Sequence, residues 1–253
     1  MPSGVFLRQI RWRTGEQKIY PWALPAFQSL KEIDLIKPVT FFVGDNGSGK
    51  STLLEAIAIG CGFNPEGGNR NHQFASAHSE SELTKSLNLS WSIKPQHGFF
   101  FRAESFYQFA TYLEEMAQQD YVSAEEVFRP YGGASLHHKS HGEAFLALFT
   151  HRLAARQPSL YLFDEPEAAL SPTGQMALLR IIHQWVLSGQ VQCIIATHSP
   201  ILLAYPDCTI FDFDYHPFKA VNYEDTLAYR ITRQFMDSRP RMLAELFRED
   251  ESD

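Results

Sequence analysis

Residues Phe41 to Leu54 read FFVGDNGSGKSTLL, and this stretch constrains the fold more than any other. Gly44 to Ser51 fit the pattern G-x-x-x-x-G-K-[ST] between a short β-rich apolar run and a segment with apolar residues at helical spacing. Gly44, Gly47 and Gly49 let the backbone curl until successive N–H groups face one point. The positive end of the following helix adds its dipole, and together they make a cradle for an anion. Lys50 then reaches the β- and γ-phosphates of a nucleotide, and the Ser51 hydroxyl is a ligand for Mg²⁺. Asp45, Asn46, Gly47, Ser48, Gly49, Lys50, Ser51 and Thr52 are therefore the expected nucleotide-binding residues.

Around this passage, strand-like and helix-like segments alternate. VFLRQIRWR and PVTFFVG read as strands, STLLEAIAIGCG as a helix, and the polar text from Gly62 to Ser86 as a loop or insertion. LNLSWSI and HGFFFRAESF read as strands, FATYLEEMAQQ and EAFLALFTHRLAAR as helices. SLYLFDEP and VQCIIATHSP are apolar runs on either side of the helix GQMALLRIIHQWVLSG. CTIFDFD is a short strand, and RMLAELFREDESD a helix that dissolves into acid. This alternation predicts an α/β fold with a mainly parallel sheet and crossover helices. Ligands of such sheets lie at the carboxyl ends of the strands.

The 253 residues carry a net charge of −7, so no whole-protein basic footprint for nucleic acid exists. The basic start MPSGVFLRQIRWR is followed by no long apolar run, and nowhere is there a stretch of membrane-spanning length. The three cysteines, Cys61, Cys193 and Cys208, are far apart and unpatterned, which suits a reducing cytoplasm.

Three further polar clusters follow strands or open helices. Asp164 and Glu165 end the run LYLFDEP, where one acid can bind Mg²⁺ and its neighbour can activate water. Ser140-His141-Gly142-Glu143 precedes an apolar helix; it is a capping box and at the same time offers a hydroxyl and free N–H groups to an anion. His198 ends IIATHSP, a place from which an imidazole can bond a γ-phosphate or a water. The adjacent His137 and His138 lack the spaced third ligand of a metal site.

Taken in order, GDNGSGKST, SHGE, LYLFDEP and THSP resemble the Walker A, signature, Walker B and switch-histidine motifs of the ATP-binding cassette (ABC) ATPases. Their separations resemble the family's too. The resemblance implies a P-loop NTPase fold with a mainly parallel central sheet flanked by helices, an antiparallel β part, and a helical subdomain carrying the signature. It implies ATP and Mg²⁺ as cofactors, and head-to-tail homodimers in which each signature closes over ATP held by the other copy. Carried over, Glu165, His198 and Lys50 are the catalytic residues: general base, γ-phosphate sensor and phosphate ligand. Ser140, His141, Gly142 and Glu143 act in trans. Ser51, Asp164 and Glu104 form the metal set, Glu104 standing (with Gln108 as second choice) where the family has its Q-loop glutamine. Tyr20 and Trp22 are the candidates for stacking on adenine. Arg102, beside Glu104, reads as a paired surface charge.

Three departures stand out. The signature is Ser-His-Gly-Glu rather than Leu-Ser-Gly-Gly-Gln, Ser171 stands where transporter cassettes have an aspartate, and no clear Q-loop glutamine follows GFFF. The chain is expected to be a single ATPase domain over 1–253. Within it, about 87–150 includes the signature subdomain and about 214–253 forms a C-terminal helical extension with an acidic tail. FDEPEAALSP resembles standalone ATPases of the SMC/RecF-like or AAA-type branch. A transporter's ATP-binding subunit, with a membrane protein as partner, and a slow ATP-dependent interaction switch in DNA repair or defence, with a separate effector, remain alternatives. DNA as a partner is left open but is not favoured by the charge. No heptad arm separates Walker A from the signature. The stretches Gly62–Ser86 and Tyr121–Lys139 are the expected partner-binding regions.

Overall fold

The computed structural model describes residues 4–13, 20–29, 31–65, 67–68, 82–118, 123–133, 135, 141–153 and 157–248. In chain order its elements are β1 (Leu7–Trp12), α1 (Pro25–Ser29), β2 (Glu32–Asp34), β3 (Val39–Val43), α2 (Lys50–Gly60), α3 (Glu82–Ser86), β4 (Leu87–Trp91) and β5 (His97–Arg102). There follow α4 (Phe106–Ala117), α5 (Ala124–Phe128), α6 (His141–Ala147), β6 (Ser159–Asp164), α7 (Pro172–Leu187), β7 (Val191–Ala196), α8 (Pro200–Leu203), β8 (Thr209–Asp212), β9 (Lys219–Val221) and α9 (Leu227–Leu246).

The runs that form β3, β6 and β7 show no polar alternation, and each strand is buried along its whole length. Burial on both faces is what a central parallel strand with helices on either side demands. The larger sheet has the order β5-β6-β7-β3-β8-β9, parallel except for the edge pair β8 and β9. A separate antiparallel sheet has the order β2-β1-β4. Gln192, the polar break in the β7 run, joins the two. Its fully buried Oε1 accepts from the Phe6 and Leu7 N–H groups at 2.9 and 2.7 Å, and its Nε2 donates to the Leu7 carbonyl at 2.8 Å. The α/β architecture read from the sequence is thus the one observed.

An aromatic ladder fastens the helices to β5 and β6. The rings of Phe101 (β5) and Phe145 (α6) are 4.2 Å apart, Phe145 and Phe149 4.6 Å, and Phe149 and Phe163 (β6) 5.1 Å. Trp185 of α7 stacks on Phe163. Phe149 lies in a π-helical continuation of α6, Leu148–Arg152, where a single unbroken α-helix is expected from the pattern. That wider turn ends one strand-connecting helix while keeping both Phe145 and Phe149 on the sheet.

Other differences from expectation have local causes. The stretch read as a loop from Gly62 to Ser86 ends in helix α3, whose Leu83 is fully buried, and Gly68 bridges to Phe100. The C-terminal helix starts at Leu227 rather than near Arg241, capped by the buried Thr226 hydroxyl, and runs through Pro240 with a break in helical geometry at Ser238. Trp22 is buried against the α1–α2 layer and so is unavailable to a ligand. Within the segment 87–150 the two expected strands are present as β4 and β5, one in each sheet, and the helices of the described residues follow from Phe106.

Gly98 marks the tightest point of β5. A methyl group there would lie 2.3 Å from Phe63 Cζ and 2.5 Å from the Leu160 carbonyl oxygen. Gly98→Ala is therefore expected to destabilise the protein by about 1–3 kcal/mol or more, since neither a ring in a packed core nor a strand backbone yields cheaply. Urea unfolding of both proteins measures it, and equal midpoints would refute the packing.

Candidate nucleotide and catalytic site

The loop between β3 and α2 has the geometry its glycines allow. Gly44, Gly47 and Gly49 have φ of 138°, 79° and 106°, and a side chain at Gly49 would meet the Phe27 ring at 2.9 Å. Lys50 is 4% exposed. Its Nζ donates to the carbonyls of Gly44 and Asp45 at 2.7 and 2.8 Å, and burial holds its pKa below the ordinary value against the pull of Glu165, Asp214 and Asp164. Asp214, after β8, braces the loop from behind by accepting the Asp45 N–H at 2.7 Å.

Parallel register carries the other groups to this edge. β6 pairs with β7 so that Asp164 faces Ala196, and β7 pairs with β3 so that Ala196 faces Phe42. The residues after these strand ends, Glu165 and Thr197–His198, therefore emerge beside the phosphate-type loop. Ser51 Oγ donates to Asp164 Oδ1 at 2.8 Å, and His198 Nε2 lies 3.8 Å from Glu165 Oε1. Glu165 has φ 50° and ψ 52°, left-handed backbone that a branched or long side chain rarely takes, and strain of this kind gathers at functional positions.

Tyr20, Leu24, Asn46, Gly47, Gly49, Lys50, Ser51, Thr52, Glu104 and Glu165 line a cavity of about 360 Å³. Tyr20 is 60% exposed, with its hydroxyl 2.6 Å from Thr52 Oγ1, so its ring is at the cavity mouth. Asp45 and Ser48 stand in the same loop. Glu104 turns its carboxylate toward Arg102, at 3.6 Å. Gln108 is exposed on α4 and is not part of this lining.

The reading of Arg102 as a surface charge needs correction. β5 pairs with β6 so that Arg102 faces Asp164, which draws the guanidinium inward. Its side chain is 22% exposed, 3.1 Å from Glu55 and 3.7 Å from Asp164 Oδ2. Asp164 itself is 5% exposed. Burial pushes its carboxyl up from 3.8 to about 6, against the pull of the Ser51 hydroxyl and Arg102. Glu167, which the sequence offers only as the second glutamate of FDEPEAALSP and without a role in the site, accepts the His198 main-chain N–H on its Oε1 at 2.6 Å.

Ser140, His137 and His138 lie outside the described residues, as does the His141 side chain. Gly142 and the exposed Glu143 open α6, and a methyl group on Gly142 would sit 3.5 Å from the Ala169 carbonyl. Ser171, at the position of the expected aspartate, caps α7 by accepting the Gly174 N–H.

Ser51 and Asp164 are hard oxygen donors side by side, which fits a Mg²⁺ bound mainly through phosphate and water oxygens. The glycine-lined loop with its buried lysine fits a polyphosphate.

A family profile described as "AAA domain" matches residues 25–126. The ABC transporter ATP-binding protein ModF of Escherichia coli (strain K12) is 24% identical over 173 residues, covering 62% of this chain and 34% of its own. The chain thus spans about a third of that relative's length. Among solved structures, an ATP-binding cassette of an ABC transporter superposes with a TM-score of 0.51 at 14% identity, covering 95% of this chain and 98% of the other. The SMC head domain from Thermotoga maritima gives a TM-score of 0.47 at 17% identity, covering 85% and 98%. The fold is that of the ABC class of P-loop ATPases, as the four motifs led one to expect.

The raised carboxyl of Asp164 has a stability signature. A folded-state pKa above the unfolded one means that stability from this group is fully present below about pH 4 and is lost as pH rises through about 6. Asp164→Asn removes that loss. The stability of the variant relative to the parent should therefore increase by about 1–3 kcal/mol between about pH 4 and pH 7.5. Urea titrations at both pH values test this, and a pH-independent difference would contradict it.

Proposed function

We propose that this chain is a cytoplasmic, Mg²⁺-dependent ATPase that dimerises head-to-tail on ATP and couples hydrolysis to a partner. The observation that supports it most is the convergence of Lys50, Ser51, Asp164, Glu165 and His198 on one sheet edge, within a fold of the ABC class. Among the described residues no helix is long and apolar enough to cross a membrane.

In this reading the loop N–H groups and Lys50 hold the phosphates, and Tyr20 covers the base. Ser51 and Asp164, with Glu104 nearby, hold Mg²⁺, which when bound neutralises charge on the phosphoryl oxygens. Glu165 takes the proton of the attacking water as its oxygen bonds to the γ-phosphorus and the bond to ADP breaks. His198 orients that water and bonds the γ-phosphate. Ser140, His141, Gly142 and Glu143 of a second copy complete the site, an isologous arrangement with two nucleotides at the interface. The single domain 1–253, with its signature subdomain and C-terminal extension, is the unit that pairs.

A second reading makes the chain the ATP-binding subunit of a membrane transporter. It is supported by the name of the relative ModF and by the transporter cassette whose fold this chain shares. Co-purification with a polytopic membrane protein would favour it over a soluble effector.

Glu165→Gln should retain ATP binding, lose hydrolysis by about a hundredfold or more, and elute as a dimer in size exclusion with MgATP. A monomer under those conditions would sink the paired-site mechanism. Lys50→Ala should abolish nucleotide binding, and Ser140→Arg should impair hydrolysis while sparing binding by the monomer.

A further inference from the structure

We propose that Glu167 is a positioning residue for hydrolysis, a side-chain strut that fixes His198 beside Glu165. The inference rests on the ATPase reading above and adds to it a residue outside the four motifs.

Glu165 and His198 stand on loops after different strands, β6 and β7. Backbone pairing ends at the strand tips, with the Glu165 N–H donating to the Ala196 carbonyl at 2.9 Å and the Thr197 N–H to Phe42 at 3.1 Å. Beyond those bonds the two loops must be held by side chains. Glu167 sits in the 3₁₀ turn Pro166–Ala169 directly after Glu165, and its Oε1 takes the main-chain N–H of His198 at 2.6 Å. The Thr197 side chain adds to the hold on the same carboxylate. Charge-assisted bonds of this length are among the stronger ones a protein makes. On the far side, Ser199 Oγ donates to Gln175 of α7 at 2.5 Å and caps α8. His198 is therefore clamped between two anchors, and the one on the Glu165 side is Glu167.

The strut is costly, which argues that it is there for more than packing. Its Oε2 is shut off from solvent with no hydrogen-bond partner among the described residues. Withdrawing one carboxylate oxygen from water has a cost that an apolar side chain of the same size would not carry. The same turn also abuts Gly142 through the Ala169 carbonyl. The turn that carries Glu167 thus stands between the start of the signature helix α6, which meets Ala169, and the switch histidine, which meets Glu167.

The test uses the full chain with Glu167→Ala, Glu167→Gln and Glu167→Met. Gln offers the same acceptor oxygen, and Met keeps the volume without it. Ala and Met should lower kcat about 10–100-fold, the scale of a roughly 1 Å misplacement, with KM for ATP within about twofold. Gln should stay within about threefold of the parent. In the same proteins without nucleotide, the His198 ring resonances, assigned with His198→Gln, should shift and broaden in the Ala and Met variants and stay in place in Gln. Unmoved resonances, a kcat within about twofold of the parent in Met, or a Gln variant as slow as Met would each overturn the proposal. A parent with no hydrolysis above the Lys50→Ala level would overturn the ATPase reading itself. The nucleotide-free spectra would then still report separately on whether Glu167 holds His198.

Discussion

Parallel pairing that sets Phe42 opposite Ala196 and Ala196 opposite Asp164 fixes the level at which β3, β7 and β6 end. Each strand hands the chain to a different piece of the site: the phosphate-type loop, the switch loop with His198, and the turn with Glu165 and Glu167. A slip of one residue between β6 and β7 would turn Asp164 to the other face, and a slip between β3 and β7 would part the phosphate-type loop from the switch loop. The individual hydrogen bonds at the edge, such as Ser51 to Asp164, are consequences of that alignment and could not create it. Gln192 serves the same alignment from the opposite direction, because it ties β7 to the antiparallel sheet where no ladder bond can.

The electrostatics of the edge follow from depth. Lys50 and Asp164 are almost fully covered, and each is pushed toward its neutral form by burial. Arg102 offsets part of that cost for Asp164, and its guanidinium also faces Glu55 and Glu104, so that one cation serves three carboxylates. Removing Arg102 would leave these carboxylates close together with no counter-charge between them. The site is thus a mutually dependent set, in which Arg102 is as structural as any core phenylalanine.

Much of this was legible in the sequence where chemistry and local pattern coincide. Gly44 to Ser51 announces a strand, a tight loop and a helix by residue type alone. LYLFDEP and IIATHSP announce buried strands that end in polar groups. What stayed hidden depends on pairing between distant segments. Arg102 reads as a surface charge until β5 is laid beside β6 in register. Trp22 and Tyr20 look equivalent in IYPWALP, yet one packs into the core and the other stands at the cavity mouth. Glu167 shows in the sequence only as part of the FDEPEAALSP resemblance, because nothing local shows that a backbone amide 31 residues later will reach it. The long α9 was masked by Pro240 and its arginines, since propensity weighs each residue where the Thr226 cap and the packing of Ala228 decide.

Glu165 holds a left-handed backbone conformation that glycine or asparagine would adopt with less strain. Laboratory evolution of this chain for heat resistance alone would therefore press on Glu165 and favour replacements that relax the turn. The variants that survived such a screen would be the ones missing the carboxylate beside His198. For this fold, thermal robustness and possession of the site are selected by opposite choices at one residue, so a stabilised version has to be sought everywhere except there.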